Sequence, residues 1–220
     1  MPENSSSEKS NSLSDEDTTY EDSDDEEKYP DTVKCKFATQ LRKRLRKELI
    51  RSQFDKTAHD FVPEGVVDKL VTREEIEKCM KATPTHTTLV GYTFQHAKKA
   101  FAISTWAKIN THVAMNWFMT KNLTDKDLPF KGLTAEWTRS SWRPQFFDEQ
   151  WKFCAPIFDT TKYTLDFEEG HILPILSVTR VGGSGAFGEV SQYKLHENHM
   201  KPVSGPKIHR ARKLTINRNC

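Results

Sequence analysis

The residues best suited to chemistry in this chain are Gly183, Gly185 and Gly188, spaced G-x-G-x-x-G, with Val190 extending the pattern to G-x-G-x-x-G-x-V. Ser184, Ala186 and Phe187 fill the positions between them. Small residues let backbone N–H groups come close to phosphate oxygens, because a Cβ would block the approach. The flanks decide which phosphate loop this is. A dinucleotide-binding loop runs from a strand into a helix. Here Glu189 to Leu195 alternates and carries β-favouring Val190 and Tyr193, so it reads as a strand, and Ile172 to Val181 reads as the strand before it. Strand, glycine loop, strand predicts a β-hairpin that carries the glycines, with Phe187 at its tip.

Other residue types capable of chemistry are poorly placed for it. Cys35, Cys79, Cys154 and Cys220 are far apart and form no C-x-x-C, which argues against a zinc site and a compact disulfide framework. Reduced thiols in an intracellular protein, cytoplasmic or nuclear, are expected. His96 and His112 stand alone, so a core or surface role is expected for each. Glu168 and Glu169 are adjacent, and neighbouring side chains on a strand or turn point apart, so they read as a turn. The basic runs Arg42–Arg51 and Lys207–Arg218 would suit nucleic acid by charge alone, the least favoured of the partners.

These residues must be positioned by a chain of uneven character. Hydrophobic residues make up 35% of its 220 residues and the mean hydropathy is −0.72, so part of it is expected to be disordered. Residues 1–33 hold twelve acidic residues against two lysines, a charge of −10, which leaves +12 on the remainder of a chain of net charge +2. With almost no apolar side chains, 1–33 cannot offset the entropy of ordering and reads as a disordered acidic tail. The first residues have no apolar core for a signal peptide, and no apolar run is long enough to span a bilayer.

From Lys34 to Asp55 the pattern becomes helical, with Phe37, Leu41, Leu45, Leu49 and Phe54 as the apolar stripe and Arg42, Lys43, Arg44, Arg46 and Lys47 over the rest. The preferred reading is a helix docked on its own domain. Pro63 opens a second helical stretch with Val66, Val67, Leu70 and Val71 inward. Thr72 to Glu75 is a capping box for a helix through Ile76, Cys79 and Met80. Thr93 is expected to cap a longer helix to about Ile109, and Leu123–Phe130 a short capped turn stopped by Pro129. Phe130, Trp137, Trp142, Phe146, Phe147, Trp151, Phe153 and Phe158 form an aromatic stretch that reads as packed core. Pro144 and Pro156 bracket at most three helical turns within it. Tyr163–Phe167 alternates as a strand, and Glu168–Gly170 turns the chain.

On the glycine loop, and on Ala211-Arg212-Lys213 within the strand-like stretch Ile208–Ile216, the chain resembles the opening of a eukaryotic-type Ser/Thr protein kinase domain, more narrowly of kinases common in filamentous fungi. Ile172–Leu176 ahead of the loop resembles their Leu-Pro-Phe stretch. Leu123–Phe130, and Gln150-Trp151, Phe153 and Ala155-Pro156 within Phe147–Pro156, resemble their N-terminal extension. Gly182 departs from the family, which has an aliphatic residue there. The resemblance implies that Gly183, Ser184, Gly185, Ala186, Phe187 and Gly188 cradle the ATP phosphates, that Val190 packs on adenine, and that Lys213 holds the α/β-phosphates. Mg²⁺ would require the missing part of the domain.

The family's H-R-D-x-x-x-x-N loop and D-F-G do not occur in this sequence, so no catalytic or metal-binding residue is assigned. Whether it is an enzyme stays open. A truncated gene model, a splice product or a degenerate copy would account for that. The expected fold is α+β: a disordered tail (1–33), a helical and aromatic extension (34–167), and an incomplete antiparallel sheet of a kinase N-lobe, its first three strands (172–220). The alternative function is a non-catalytic protein-interaction module on residues 34–167.

Overall fold

The computed structural model describes residues 34–54, 59–80, 87–131, 141–159, 164–180, 191–201 and 215–218. The acidic tail and Trp137 lie outside the described residues. The described chain is α+β, with seven α-helices and three pairs of short strands, the first pair lying between the first and second helices. The helices are α1 (Lys36–Lys47), α2 (Val66–Leu70), α3 (Arg73–Met80), α4 (Thr87–His96), α5 (Lys98–Trp106), α6 (Thr111–Thr120) and α7 (Arg143–Glu149). The strands are β1 (Ile50–Arg51), β2 (Asp60–Phe61), β3 (Thr164–Phe167), β4 (Ile175–Arg180), β5 (Ser191–Leu195) and β6 (Thr215–Arg218). No described helix is long and apolar enough to cross a membrane.

Helix α1 buries Ala38, Leu41 and Leu45. Phe37 was expected in that stripe but is 37% exposed. A spacing of four residues drifts by about 40° per step on a 3.6-residue helix, so a line through positions 37, 41, 45 and 49 leaves the buried face at its ends. The chain leaves the helix after Lys47, and Phe54 packs in a different core. The basic side chains of α1 serve docking. Arg44 reaches the Glu75 carboxylate at 2.8 Å and the Leu70 carbonyl at 3.2 Å, Arg42 donates to the Thr105 carbonyl at 3.2 Å, and Arg46 lies over Trp106.

Thr72 caps α3 as expected, the Glu75 N–H donating to Thr72 Oγ1 at 3.2 Å, while the Glu75 carboxylate that would complete the box is engaged by Arg44. Thr93 is a different case. It lies inside α4 and donates its hydroxyl to the Leu89 carbonyl at 2.7 Å, the back-bond that competes with capping. The break falls at Ala97, where φ is −138°, and the start of α5 is capped from elsewhere. Asp125 accepts from the N–H groups of Lys99 (2.8 Å) and Ala100 (2.9 Å). Burial raises its carboxyl above the ordinary range, and these two N–H bonds partly offset that. Asp125→Ala is expected to cost about 0.5–2 kcal/mol, the usual range for a lost cap, and to remove exchange protection at Lys99 and Ala100. Asp125→Asn keeps an acceptor and should cost less. Equal losses for the two variants would show that the cap is not the cause.

The largest core runs from Cys35 to Phe153 and is built by all seven helices. Its aromatic end contains Phe118, Trp142 and Phe146, with Trp117 and Phe130 packed against them. Of the aromatic stretch, Trp142, Phe146, Phe153 and Phe158 are buried as expected, Phe158 in a separate core, whereas Phe130, Phe147 and Trp151 are half-buried. Pro144 sits in the first turn of α7, where its missing N–H leaves no intrahelical bond unmade. The buried Gln150 amide accepts from the Phe130 N–H at 2.8 Å and donates to the Phe130 carbonyl at 3.1 Å, anchoring the capped turn to α7.

The strands pair in twos. β1 and β2 are antiparallel, as are β4 and β5, whereas β3 runs parallel to β6 in the register Thr164↔Thr215 to Phe167↔Arg218. The expected incomplete antiparallel sheet thus appears as a hairpin and, separately, a parallel pair. The strand after Lys213 lies beside β3 and not beside the hairpin. Alternation identifies a strand but not its partner, and the long connection from Phe167 to Thr215 permits a parallel crossover.

Candidate functional site

The glycine motif is carried between β4 and β5. Their register runs from Ile175↔Leu195 to Arg180↔Ser191, with an irregularity between Ile175 and Ser177. Gly183, Ser184, Gly185, Ala186, Phe187, Gly188 and Val190 fall in the connection between Arg180 and Ser191, outside the described residues. Lys213 also lies outside them. The described part is the stem that sets where the loop begins and ends: antiparallel strands, with no helix after the motif.

A two-stranded hairpin alone is marginal in water. This one gains its stability at its base. Leu173 and Ile175 are fully buried with Phe158 and Phe167, and Phe54, Tyr193 and Leu195 pack against them. The Phe54 and Tyr193 rings lie 5.9 Å apart, tilted by 41°. Away from the base the stem opens, from buried Ile175 to exposed Ser177, Val178, Thr179 and Arg180.

Segments distant in sequence hold both strands at that base. On the β4 side, buried Ser52 donates its hydroxyl to the Leu173 carbonyl at 2.6 Å, and the Gln53 N–H donates to the Ile175 carbonyl at 2.7 Å. On the β5 side the chain enters a 3-10 turn, Glu197–His199. There the Glu64 N–H donates to His199 Nε2 at 3.0 Å, and Asn198 Nδ2 donates to the Glu64 carbonyl at 3.0 Å. The Phe158 N–H donates to the His199 carbonyl at 2.7 Å, and the Lys201 N–H returns a bond to the Phe158 carbonyl at 2.9 Å. Sequence reading missed Ser52, Glu64 and His199. Their partners lie more than a hundred residues away in the chain, and nothing in a linear pattern marks such pairs.

The remaining candidates behave as structural groups. Cys35, Cys79 and Cys154 are buried with free thiols, and burial pushes Cys79 and Cys154 up to about 12, so neither is a thiolate nucleophile. His112 is fully buried with Nε2 against the Met80 carbonyl, and His96 is exposed beside Tyr92. Glu168 pairs with Lys131 at 3.0 Å, and the His171 N–H closes a turn on the Glu168 carbonyl at 3.0 Å. An open cavity of about 470 Å³ lies over Lys131, Phe147, Trp151 and Glu168–Gly170, none of them a hairpin residue. Among the described residues no cluster of His, Cys, Asp or Glu could hold a metal ion. The chain matches no protein-family profile, no curated protein and no solved structure.

Proposed function

We propose that this chain carries the ATP-binding glycine hairpin of a protein-kinase-type fold, with Ser/Thr phosphorylation as the activity of complete relatives. The observation that carries this reading is the strand–glycine loop–strand order, since a dinucleotide-binding loop would continue into a helix. In this reading the backbone of Gly183–Gly188 donates to the phosphates, Phe187 closes the tip, Val190 packs on adenine and Lys213 holds the α/β-phosphates. With no H-R-D or D-F-G in the sequence, the expectation is weak nucleotide binding without phosphoryl transfer. The test is ATP titration of the full chain by calorimetry or NMR. Saturable binding with a Kd of roughly millimolar order is expected, lost in Gly185→Asp and weakened about tenfold in Lys213→Met, the scale of one charge-assisted hydrogen bond. Absence of saturation, or binding that ignores Gly185→Asp, would sink the proposal.

A second reading places the function in the extension, as a protein-interaction module. It is favoured by the main core, which runs from Cys35 to Phe153 and takes nothing from the hairpin. Binding of a purified catalytic half-domain, unchanged by ATP and by Gly185→Asp, would support it over the first.

A further inference from the structure

One short segment, Ser52 to Glu64, clamps both strands of the glycine hairpin: at β4 through Ser52 and Gln53, and after β5 through Glu64. The β4 contacts are made by neutral groups. The contact after β5 depends on a histidine ring whose two nitrogens are both committed. Nδ1 lies 3.1 Å from the Pro156 carbonyl, which can only accept, so Nδ1 carries the hydrogen. Nε2 lies 3.0 Å from the Glu64 nitrogen, whose N–H donates, so Nε2 must be bare. Only the neutral Nδ1–H form satisfies both.

We propose that His199 is a proton-operated latch between the glycine hairpin and the Glu64 turn, closed while the ring is neutral and released when Nε2 takes a proton. A proton on Nε2 would set N–H against N–H at the distance of a hydrogen bond, so the two groups must part. The ring has little room to turn away. His199 is 1% exposed and stands edge-on to Phe61 at 5.4 Å and 86°. Release would also weaken the Asn198 contact to the Glu64 carbonyl, because both bonds meet the same turn.

The charges around the ring set its direction of response. Burial lowers the pKa of His199, the Pro156 carbonyl and Glu64 act to raise it, and His196 and Lys99 act to lower it. Glu64 is itself held by Lys99 at 3.4 Å, and His196 stands 5.8 Å from the ring. Lys201 and Asp159, flanking the Phe158 bridge, pair with each other at 3.2 Å. With the folded value lowered, the contact is complete above the ordinary histidine value of about 6.5 and is lost as pH falls through the folded value. The open population grows about tenfold for each pH unit between those two values and levels off below the folded one.

The inference concerns the base of the hairpin and holds whether or not the loop binds nucleotide. It is tested on the full chain, without ATP, by NMR titration of the His199 ring and amide exchange of Glu64 and residues 191–200 between pH 8 and pH 5. Exchange is corrected for its intrinsic pH dependence. The expected result is an Nδ1–H tautomer at pH 8, titration below the ordinary value, and a loss of protection at Glu64 that follows the same curve. His199→Gln offers one acceptor and one donor without titrating, so the step should vanish in it, while His196→Gln should keep it. A step that survives in His199→Gln, or disappears in His196→Gln, overturns the proposal. If His199→Gln does not fold, the wild-type titration decides: a His199 that titrates at its ordinary value, or without change at the Glu64 amide, overturns it as well.

Discussion

Phe118→Ala is expected to destabilise the chain by about 3–5 kcal/mol, the range for removing a fully buried aromatic ring. Phe118 has no exposed surface and sits where three segments meet. It belongs to α6, its ring lies 6.0 Å from Phe130 at the end of the capped turn, and it lies 5.5 Å from Phe146 on α7. Trp142 closes the far side of Phe146 at 6.2 Å, and the Arg143 guanidinium lies 4.8 Å from the Trp117 ring. Large rigid rings cannot flow into the space a phenyl leaves, so the cavity term adds to the lost transfer term. Phe118→Leu, closer in volume, should cost less than about half as much. Urea denaturation followed by tryptophan fluorescence measures both. A loss below about 1 kcal/mol for Phe118→Ala would show that the cluster is not the core it is taken to be.

Gly170→Ala comes next, at about 1–3 kcal/mol, the usual cost of forcing a methyl into filled space. A Cβ at Gly170 would fall 2.2 Å from Trp151 Cε2 and 2.5 Å from Cδ2, far inside any real contact. These are the fused atoms of the indole and not the end of a flexible chain, so the whole ring must move. Trp151 is edge-on to His171 at 5.2 Å and to Phe147 at 6.2 Å, and it packs against the small core of Phe61, Ala155 and Ile172. Displacing it should loosen the turn that leads into β4. The check is a double-mutant cycle: in a Trp151→Ala background the penalty of Gly170→Ala should largely disappear. A penalty that persists there would place its cause in the backbone of the turn and not in the ring.

Phe118→Ala acts on the main core, which takes nothing from the hairpin, whereas Gly170→Ala acts on the small core beside the turn into β4. The stem is exposed toward the glycine loop and buried only where the chain before it and after it meets the extension. The base of that stem is held by Ser52, Gln53 and Glu64 as well as by its own strand pairing.

Local signals in this sequence were legible wherever the chain satisfies its own backbone. The Thr72 cap, the Thr124–Asp127 box of the capped turn and the turn after Glu168 all close within a few residues, so their chemistry is written in order. The two strands beside the glycine motif were legible for the same reason: alternation and β-branched residues act locally. Thr93 marks where that reasoning fails, because a threonine hydroxyl can cap a helix or bond back into one, and neighbours in space choose. The same holds for the strand at Thr215–Arg218, whose pattern names no partner, and for Asp125, which caps a helix it does not belong to. Sequence alone determined the helical extension, the aromatic core and the strand–loop–strand order of the glycine motif. Only the tertiary structure decided which edge each strand meets, and that Ser52 and His199 hold the hairpin. Those contacts join groups over a hundred residues apart, and only the folded core brings them within hydrogen-bond reach.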